Sequence, residues 1–397
     1  MSLEYLGKFF YLELSQTMPQ KLHETGEKQK RALLVSLAEG KSKGPAQAGA
    51  PEDGGDSGAE LERLAETLEL AIAGHETVTV RERQPKFGMG SGKAEEIAAL
   101  AEQMGADCLV FDWEPSPSQQ RNWEGLAGIP LIDRQELIIR IFARRAATRE
   151  ADLQVQLAEL NYRLPRLAHK YIDLSRQRGG RYGTRGAGET RLETDRRSIV
   201  QRISRLEKEI EEVAKQRQVQ RRQRERQGLP VCAIAGYTNA GKSSLLNALS
   251  GSAVPVEDKL FATLDPATRR FEPVPGTPVL LTDTVGFIRR LPHSLIRAFR
   301  STLEEAARAS LIVHVLDASD PGVESCFRTT VSVLQELGAG EVPVVAVLNK
   351  IDRLEDQARA KALLARYPES LAVSAKNGFG LDALKRRIAE KLNGSVT

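Results

Sequence analysis

Residues 31–37 (RALLVSL) are apolar at nearly every position, the pattern of a strand covered on both faces. A Gly/Pro/Ala/Asp-rich tract at 40–58 follows. It offers too little apolar surface to offset chain entropy and is expected to be a disordered insertion. Helical spacing resumes over 59–73, and TVTVRE (77–82) then alternates as a half-buried strand does. A glycine turn leads to a predicted helix at 93–104, a strand at 106–113 (ADCLVFDW), a helix near 117–126 and a strand at 129–133 (IPLID). Strands alternating with helices predict a small parallel α/β domain over 30–143, preceded by an extension at 1–29.

Beyond residue 143 the period changes. Leu153, Leu157, Leu160, Leu164 and Leu167 recur at steps of four and three, as do Ile199, Ile203, Leu206, Ile210 and Val213. Two such seams predict two helices packed antiparallel, a hairpin over 144–228; two surface helices on different domains is the alternative. Between the seams, RQRGGRYGTRGAGET (176–190) holds five glycines and four arginines. It is expected to form the exposed tip of the hairpin, with Arg178, Arg181 and Arg185 facing solvent or a polyanion. A second α/β pattern fills 229–397, with strands near 231–236, 279–283, 311–316, 343–348 and 371–374. The expected fold class is therefore α/β: a small parallel domain, a helical hairpin, then a doubly wound, mostly parallel sheet.

Charge sharpens this picture in one place. The net charge of the 397 residues is only +4, yet 161–227 holds about nineteen Lys/Arg against about nine Asp/Glu. Cys108, Cys232 and Cys326 are far apart in apolar segments, with neither metal-ligand nor disulfide spacing, which points to a reducing, cytoplasmic setting. No apolar run is long enough to span a bilayer. The first residues place acids inside their apolar stretch and lack a small-residue cleavage site, so no signal peptide is expected. A monomer is expected in solution.

The chemistry lies in four short motifs. GYTNAGKSS (236–244) follows an apolar strand and opens a helix, matching G-x-x-x-x-G-K-[ST]. Gly236 and Gly241 let the loop of Tyr237, Thr238, Asn239 and Ala240 curl its N–H groups toward phosphate oxygens. Lys242 would reach the β- and γ-phosphates, and Ser243, ahead of Ser244, would ligate Mg²⁺. In LLTDTVG (280–286), Asp283 can hold that Mg²⁺ through water, and beyond Thr284 and Val285 the Gly286 N–H can meet the γ-phosphate. In NKID, Asp352 can accept from guanine N1–H and the 2-amino group, donors that adenine does not offer there. Asn349 would brace the phosphate loop, and the Lys350 stem would cover the base. Ser374, Ala375 and Lys376 can present backbone N–H to guanine O6. Four motifs in order, each at a strand's C-terminal end, predict a GTPase that binds GTP and GDP.

These motifs resemble those of the translation-factor-related P-loop GTPases. FATLDPATRR (261–270) resembles switch I of the Obg/HflX branch, which implies nucleotide contacts from Phe261, Ala262, Leu264 and Asp265, and makes Thr263 the second Mg²⁺ ligand. GSGKAEEI (90–97), PSQQRNWE (117–124), IDRQELIIRIFARRAATRE (132–150), LQVQLAELNYRLPRL (153–167) and GTRGAGETRLETDRR (183–197) resemble the HflX family. That resemblance implies a GTPase that binds the large ribosomal subunit and its rRNA, and splits or rescues stalled ribosomes, with the hairpin tip against RNA. The chain departs from the family at Ala151, Arg181 and Ala187, where Gly, Gly and Pro are usual.

GMGSGK (88–93) fits no nucleotide-binding pattern and reads as a helix-entry turn. ARRAATR (143–149) is either a solvated helix face or an RNA contact, and the five histidines pair with no nucleophile. Trp113 and Trp123 are expected to pack in the first domain, with Trp123 partly exposed. Phe287 stands where many GTPases carry a water-orienting Gln, so intrinsic hydrolysis should be slow. Asn239 either caps a backbone turn or, as in related GTPases, helps to bind K⁺. Two function classes remain open: a ribosome-splitting timer, and a GTP-dependent RNA-binding switch in ribosome assembly or RNA modification.

Overall fold

The computed structural model describes residues 29–39, 57–177, 185–225, 228–253, 256–257, 259–264, 267–290, 295, 305–354 and 356–393. The 1–29 extension and the expected insertion at 40–58 lie outside these, save Gln29 and the last two positions of the insertion.

The first sheet has the order β2-β1-β3-β4 and is parallel throughout. Its strands are β1 (Arg31–Glu39), β2 (Ala71–Val80), β3 (Cys108–Phe111) and β4 (Leu131–Asp133). Helices α1 (Ser57–Thr67), α2 (Ser91–Gln103), α3 (Pro117–Ala127) and α4 (Arg134–Arg145) join or follow them. One expectation fails here. The helical spacing over 59–73 stops at Thr67, and Ala71–Gly74 belong to β2. A turn with Glu69 at φ 61° breaks the helix, and a parallel ladder from Arg31↔Ala71 to Glu39↔Val80 outweighs local helix preference. GMGSGK does enter a helix, with Gly90 the N-cap of α2. Trp123 is wholly buried rather than partly exposed. Its indole N–H donates to the Phe87 carbonyl at 2.9 Å and its ring meets Phe87 and Phe111 edge-on.

Helices α5 (Arg149–Gln177) and α6 (Arg185–Glu225) pack as a hairpin. Leu153, Leu157, Leu160 and Leu206 form its seam, flanked by Ile199, Ile203, Ile210 and Val213. Over 29 residues α5 rises about 40 Å. The glycine-rich tip is shorter than the sequence suggested: residues 176–177 and 185–190 are helical. A glycine in a helix costs only about 1 kcal/mol, which an already nucleated helix absorbs. Arg178 and Arg181 lie outside the described residues.

A second face of α5 was not legible as such. Ala151, Val155, Ala158 and Tyr162 enter the core of the first domain, so the hairpin base is part of that domain. A polar cluster fastens it. The Tyr162 hydroxyl and Arg166 Nη2 donate to Asp133 Oδ2 at 3.0 and 2.8 Å, while the Arg166 guanidinium lies over the Tyr162 ring. Burial pushes the Asp133 carboxyl up to about 6, with Arg166 opposing it.

The second sheet has the order β10-β9-β8-β5-β7-β6. Its strands are β5 (Val231–Gly236), β6 (Thr268–Phe271), β7 (Val279–Asp283), β8 (Leu311–Asp317), β9 (Val344–Asn349) and β10 (Leu371–Ala372). Only the edge strand β6, unforeseen within the switch I segment, runs antiparallel. The chain reverses direction across the sheet at β5, which lies between β7 and β8, and the crevice at that reversal is where open α/β sheets bind ligands. Helices α7 (Lys242–Ser250), α8 (Val323–Glu336), α9 (Gln357–Arg366) and α10 (Leu381–Asn393) complete this domain.

Candidate functional site

The loop between β5 and α7 is shaped by backbone conformations few side chains tolerate. Gly241 sits at φ 90°, and a Cβ there would come within 2.3 Å of Asn349 Nδ2. Asn239 takes φ 59°, a conformation asparagine accepts more readily than most residues. Lys242 and Ser243 then open α7, whose N-terminal N–H groups face the loop. Buried Lys242 donates from Nζ to the Tyr237 carbonyl at 2.9 Å. Burial lowers its pKa to about 8, opposed by the charge of Asp283. A phosphate here would add a second countercharge to that of Asp283.

Three expected cation ligands meet. Ser243 Oγ lies 2.7 Å from Thr263 Oγ1 and donates to Asp283 Oδ2 at 2.6 Å. The other Asp283 oxygen, Oδ1, is buried without a hydrogen-bond partner, and burial raises the carboxyl's pKa against the pull of Lys242. A buried carboxylate with an unused oxygen beside two hydroxyls is a hard-oxygen donor set, which fits Mg²⁺ and its water shell. Gly286 closes this corner, its hypothetical Cβ only 2.8 Å from Thr238 Cγ2 and 3.0 Å from Lys242 Nζ. Only hydrogen fits there.

The base-side motifs converge on the same loop. Asn349 Nδ2 donates to the Ala240 carbonyl at 2.9 Å and Oδ1 accepts from the Ala375 N–H at 3.1 Å, tying two motifs to the phosphate loop. Lys350, at φ 61°, donates from Nζ to the Asn239 carbonyl and pairs with Asp317, both at 2.7 Å. Asp317 had no motif to mark it. Ser374 Oγ donates to Asp352 Oδ1 at 2.5 Å, and the exposed Asp352 sits in the turn after β9. Lys376 follows Ala375 in the turn after β10.

Other expected contacts change character. The Phe261 ring packs edge-on against Phe142 of α4 at 4.6 Å, and Leu264 and Val285 join the same core. Apolar side chains gain more from burial between the domains than from a charged ligand, so only their backbone can serve a nucleotide. Thr284 Oγ1 donates to the Ile234 carbonyl at 2.8 Å and braces β5. Ala262 stays half-buried, and Asp265 lies outside the described residues. Glu257 and Lys259, which no motif flagged, line the cavity with Ser243, Ser244 and Thr263.

Two smaller readings are settled by burial. Cys108, Cys232 and Cys326 are buried free thiols, without a disulfide as their spacing suggested, and burial pushes them up to about 11, 12 and 12. His75 does have a nucleophile beside it: Nε2 lies 2.9 Å from Ser36 Oγ and Nδ1 lies 2.8 Å from Glu62 Oε1. Ser36 is buried in β1, so this chain of contacts ties β1, β2 and α1 together.

Comparison with known proteins assigns the chain. Family models described as GTP-binding GTPase N-terminal, GTP-binding GTPase middle region and 50S ribosome-binding GTPase match residues 56–143, 145–224 and 231–350. A GTPase HflX of Akkermansia muciniphila is 47% identical over 386 residues, covering 94% of this chain and 87% of that protein. The chain belongs to the HflX family. The GTPase HflX of Escherichia coli K12 is 44% identical over 313 residues, 79% of this chain and 73% of that one. A crystal structure of a GTP-binding protein from Sulfolobus solfataricus in complex with GDP is 23% identical, with a TM-score of 0.47 over 92% of this chain and 99% of that one. As an HflX-family member with a P-loop GTPase domain, the protein binds guanine nucleotide and hydrolyses GTP. Among the described residues, no helix is long and apolar enough to cross a membrane.

Proposed function

We propose that this HflX-family GTPase binds Mg²⁺-GTP at the end of β5 and uses it to time an encounter of its hairpin with the large ribosomal subunit in the cytoplasm. The nucleotide half rests on one observation, the meeting of Ser243, Thr263 and Asp283 beside a buried Lys242. Ser243 and Thr263 would ligate Mg²⁺ directly and Asp283 through water, and the ion would supply charge neutralisation between the β- and γ-phosphates. Lys242 binds the same oxygens, and the Gly286 N–H meets the γ-phosphate. Asp352 accepts from guanine N1–H and the 2-amino group, and the 374–376 turn offers N–H groups to O6. Attack of water on the γ-phosphorus breaks the bond to the β–γ bridging oxygen and yields GDP and phosphate. With Phe287 in place of a water-orienting Gln, this intrinsic step is slow, and ribosomes stimulate it.

The ribosome half is supported by the basic hairpin and by the description of the matched GTPase-domain model as a 50S ribosome-binding GTPase. Ribosome splitting or rescue is the favoured outcome; a switch in ribosome assembly or RNA modification is the second reading. Replacing Arg178, Arg181 and Arg185 with alanine should leave GTP affinity and basal hydrolysis nearly unchanged. It should weaken co-sedimentation with purified large subunits, flatten its salt dependence and lower ribosome-stimulated hydrolysis. Unaltered binding and stimulation would move the recognition surface elsewhere. Co-sedimentation with intact ribosomes in a non-hydrolysable GTP analogue, against free precursors, separates the two readings.

We further propose that Asn239 helps to hold K⁺ beside the phosphates. Exchange of KCl for NaCl at fixed ionic strength should slow turnover, and Asn239→Ala should remove the difference. An ion-independent rate would leave Asn239 as a turn residue whose φ 59° the loop requires.

A further inference from the structure

The phosphate loop and the first domain share a buried polar contact that no nucleotide motif accounts for. Tyr237, second residue of the loop, has two loyalties. Its carbonyl receives Lys242 Nζ, and its backbone bridges to Phe287, with Thr238 N–H donating to the Phe287 carbonyl at 2.7 Å and Phe287 N–H to the Gly236 carbonyl at 3.1 Å. Its hydroxyl accepts from the Arg289 N–H at 2.8 Å and donates to Glu60 of α1. Glu60 is also paired with Arg134, whose guanidinium donates to Asp112 at 2.7 Å and to the Arg289 carbonyl at 3.1 Å. Arg134 and Asp112 are 4% and 1% exposed, too buried for water to replace these partners. Arg290, held at φ 51°, returns its guanidinium to Asp112 at 3.3 Å. Thus both the N–H and the carbonyl of Arg289 are held by a cluster anchored in the other domain.

We propose that Tyr237 is a positioning residue for GTP hydrolysis: through its hydroxyl, the Glu60–Arg134–Asp112 cluster of the first domain fixes the backbone of Arg289 and Arg290, and with it the loop that begins at Gly286. This rests on the reading of Gly286 as the γ-phosphate contact. The Phe287 side chain has no polar atom to orient water, which shifts that task toward backbone geometry such as this loop's. A loop held at Arg289 from outside the nucleotide domain is pre-organised for it. Because the hairpin base shares a core with the first domain, the same contact joins hairpin orientation to the switch.

Tyr237→Phe removes the hydroxyl and keeps the ring. In the full chain without ribosomes, intrinsic kcat should fall about tenfold, with KM for GTP and affinity for GDP within twofold of the parent. Glu60→Gln should do the same, and the double variant should be no slower than either single, because both remove one unit. Amide hydrogen exchange with a bound GTP analogue should quicken in 286–290 and stay unchanged in 241–246. A merely structural role would instead lower the melting temperature and raise exchange in both segments. Unchanged or raised kcat in Tyr237→Phe, effects that multiply in the double variant, or unaltered exchange at 286–290 would overturn the proposal. Lys242→Ala separates the causes of failure. If it abolishes hydrolysis while Tyr237→Phe does not slow it, only the positioning role fails; if it hydrolyses normally, the reading of the nucleotide site fails.

Discussion

Asp352→Asn should weaken GTP binding by about 3–5 kcal/mol, a factor of roughly 150 to 5,000, because the carboxylate that accepts two guanine donors becomes an amide that mismatches one of them. The same change should favour xanthosine triphosphate, whose 2-oxo group can accept from the new N–H. Ser374 donates to Asp352 Oδ1 at 2.5 Å, and an asparagine carbonyl can keep that bond, so orientation should survive the substitution. Asp352 is exposed, and folding should be untouched. Titration of the parent and variant with GTP, ATP and XTP checks all of this. Equal affinity of the parent for ATP and GTP would remove the guanine reading altogether.

Lys242→Ala should lower the hydrolysis rate by a factor on the order of 10³ or more, since a buried cation aimed at developing phosphate charge acts where water cannot screen it. The loss should appear in kcat under single-turnover conditions at saturating Mg²⁺ and GTP. Circular dichroism and thermal unfolding should show a folded protein, because the one hydrogen bond from Lys242 Nζ among the described residues goes to the Tyr237 carbonyl. Phe287 behaves in the opposite way. From sequence alone, Phe287→Ala would appear cheap in intrinsic rate, but the ring is 1% exposed in the core between the domains. Rates of that variant must therefore be referred to its folded fraction, since the cavity should cost about 3–5 kcal/mol of stability.

The nucleotide site was legible in the chain because each motif is local. A strand, a tight turn and a helix start are set by neighbouring residues, and Gly241, Lys242, Ser243, Asp283, Asn349 and Asp352 stand at or just beyond strand ends that continuous apolar runs had already marked. The hairpin seam was legible for the same reason, since Leu153, Leu157 and Leu160 repeat at helical spacing within one helix. What stayed hidden depends on residues that only the folded chain brings together. Glu60 and Tyr237 are 177 positions apart, and Arg134 reaches the Arg289 carbonyl across 155; no local pattern encodes such a pair. Phe261 and Leu264 were expected at the nucleotide from the switch I resemblance; both side chains are buried in the core shared with the first domain, and Phe261 also lines the cavity beside Ser243 and Thr263. The helix expected over 59–73 ended early because a long parallel ladder with β1 competed for Ala71–Gly74. Sequence by itself determined the two α/β patterns, the helical hairpin and the guanine-nucleotide motifs, through local spacing and local chemistry. Tertiary structure alone decided that the first domain, the hairpin base and the switch segments share one core, and that a buried ion cluster ties the first domain to Arg289 and Arg290, because burial and desolvation are properties of the whole packed chain.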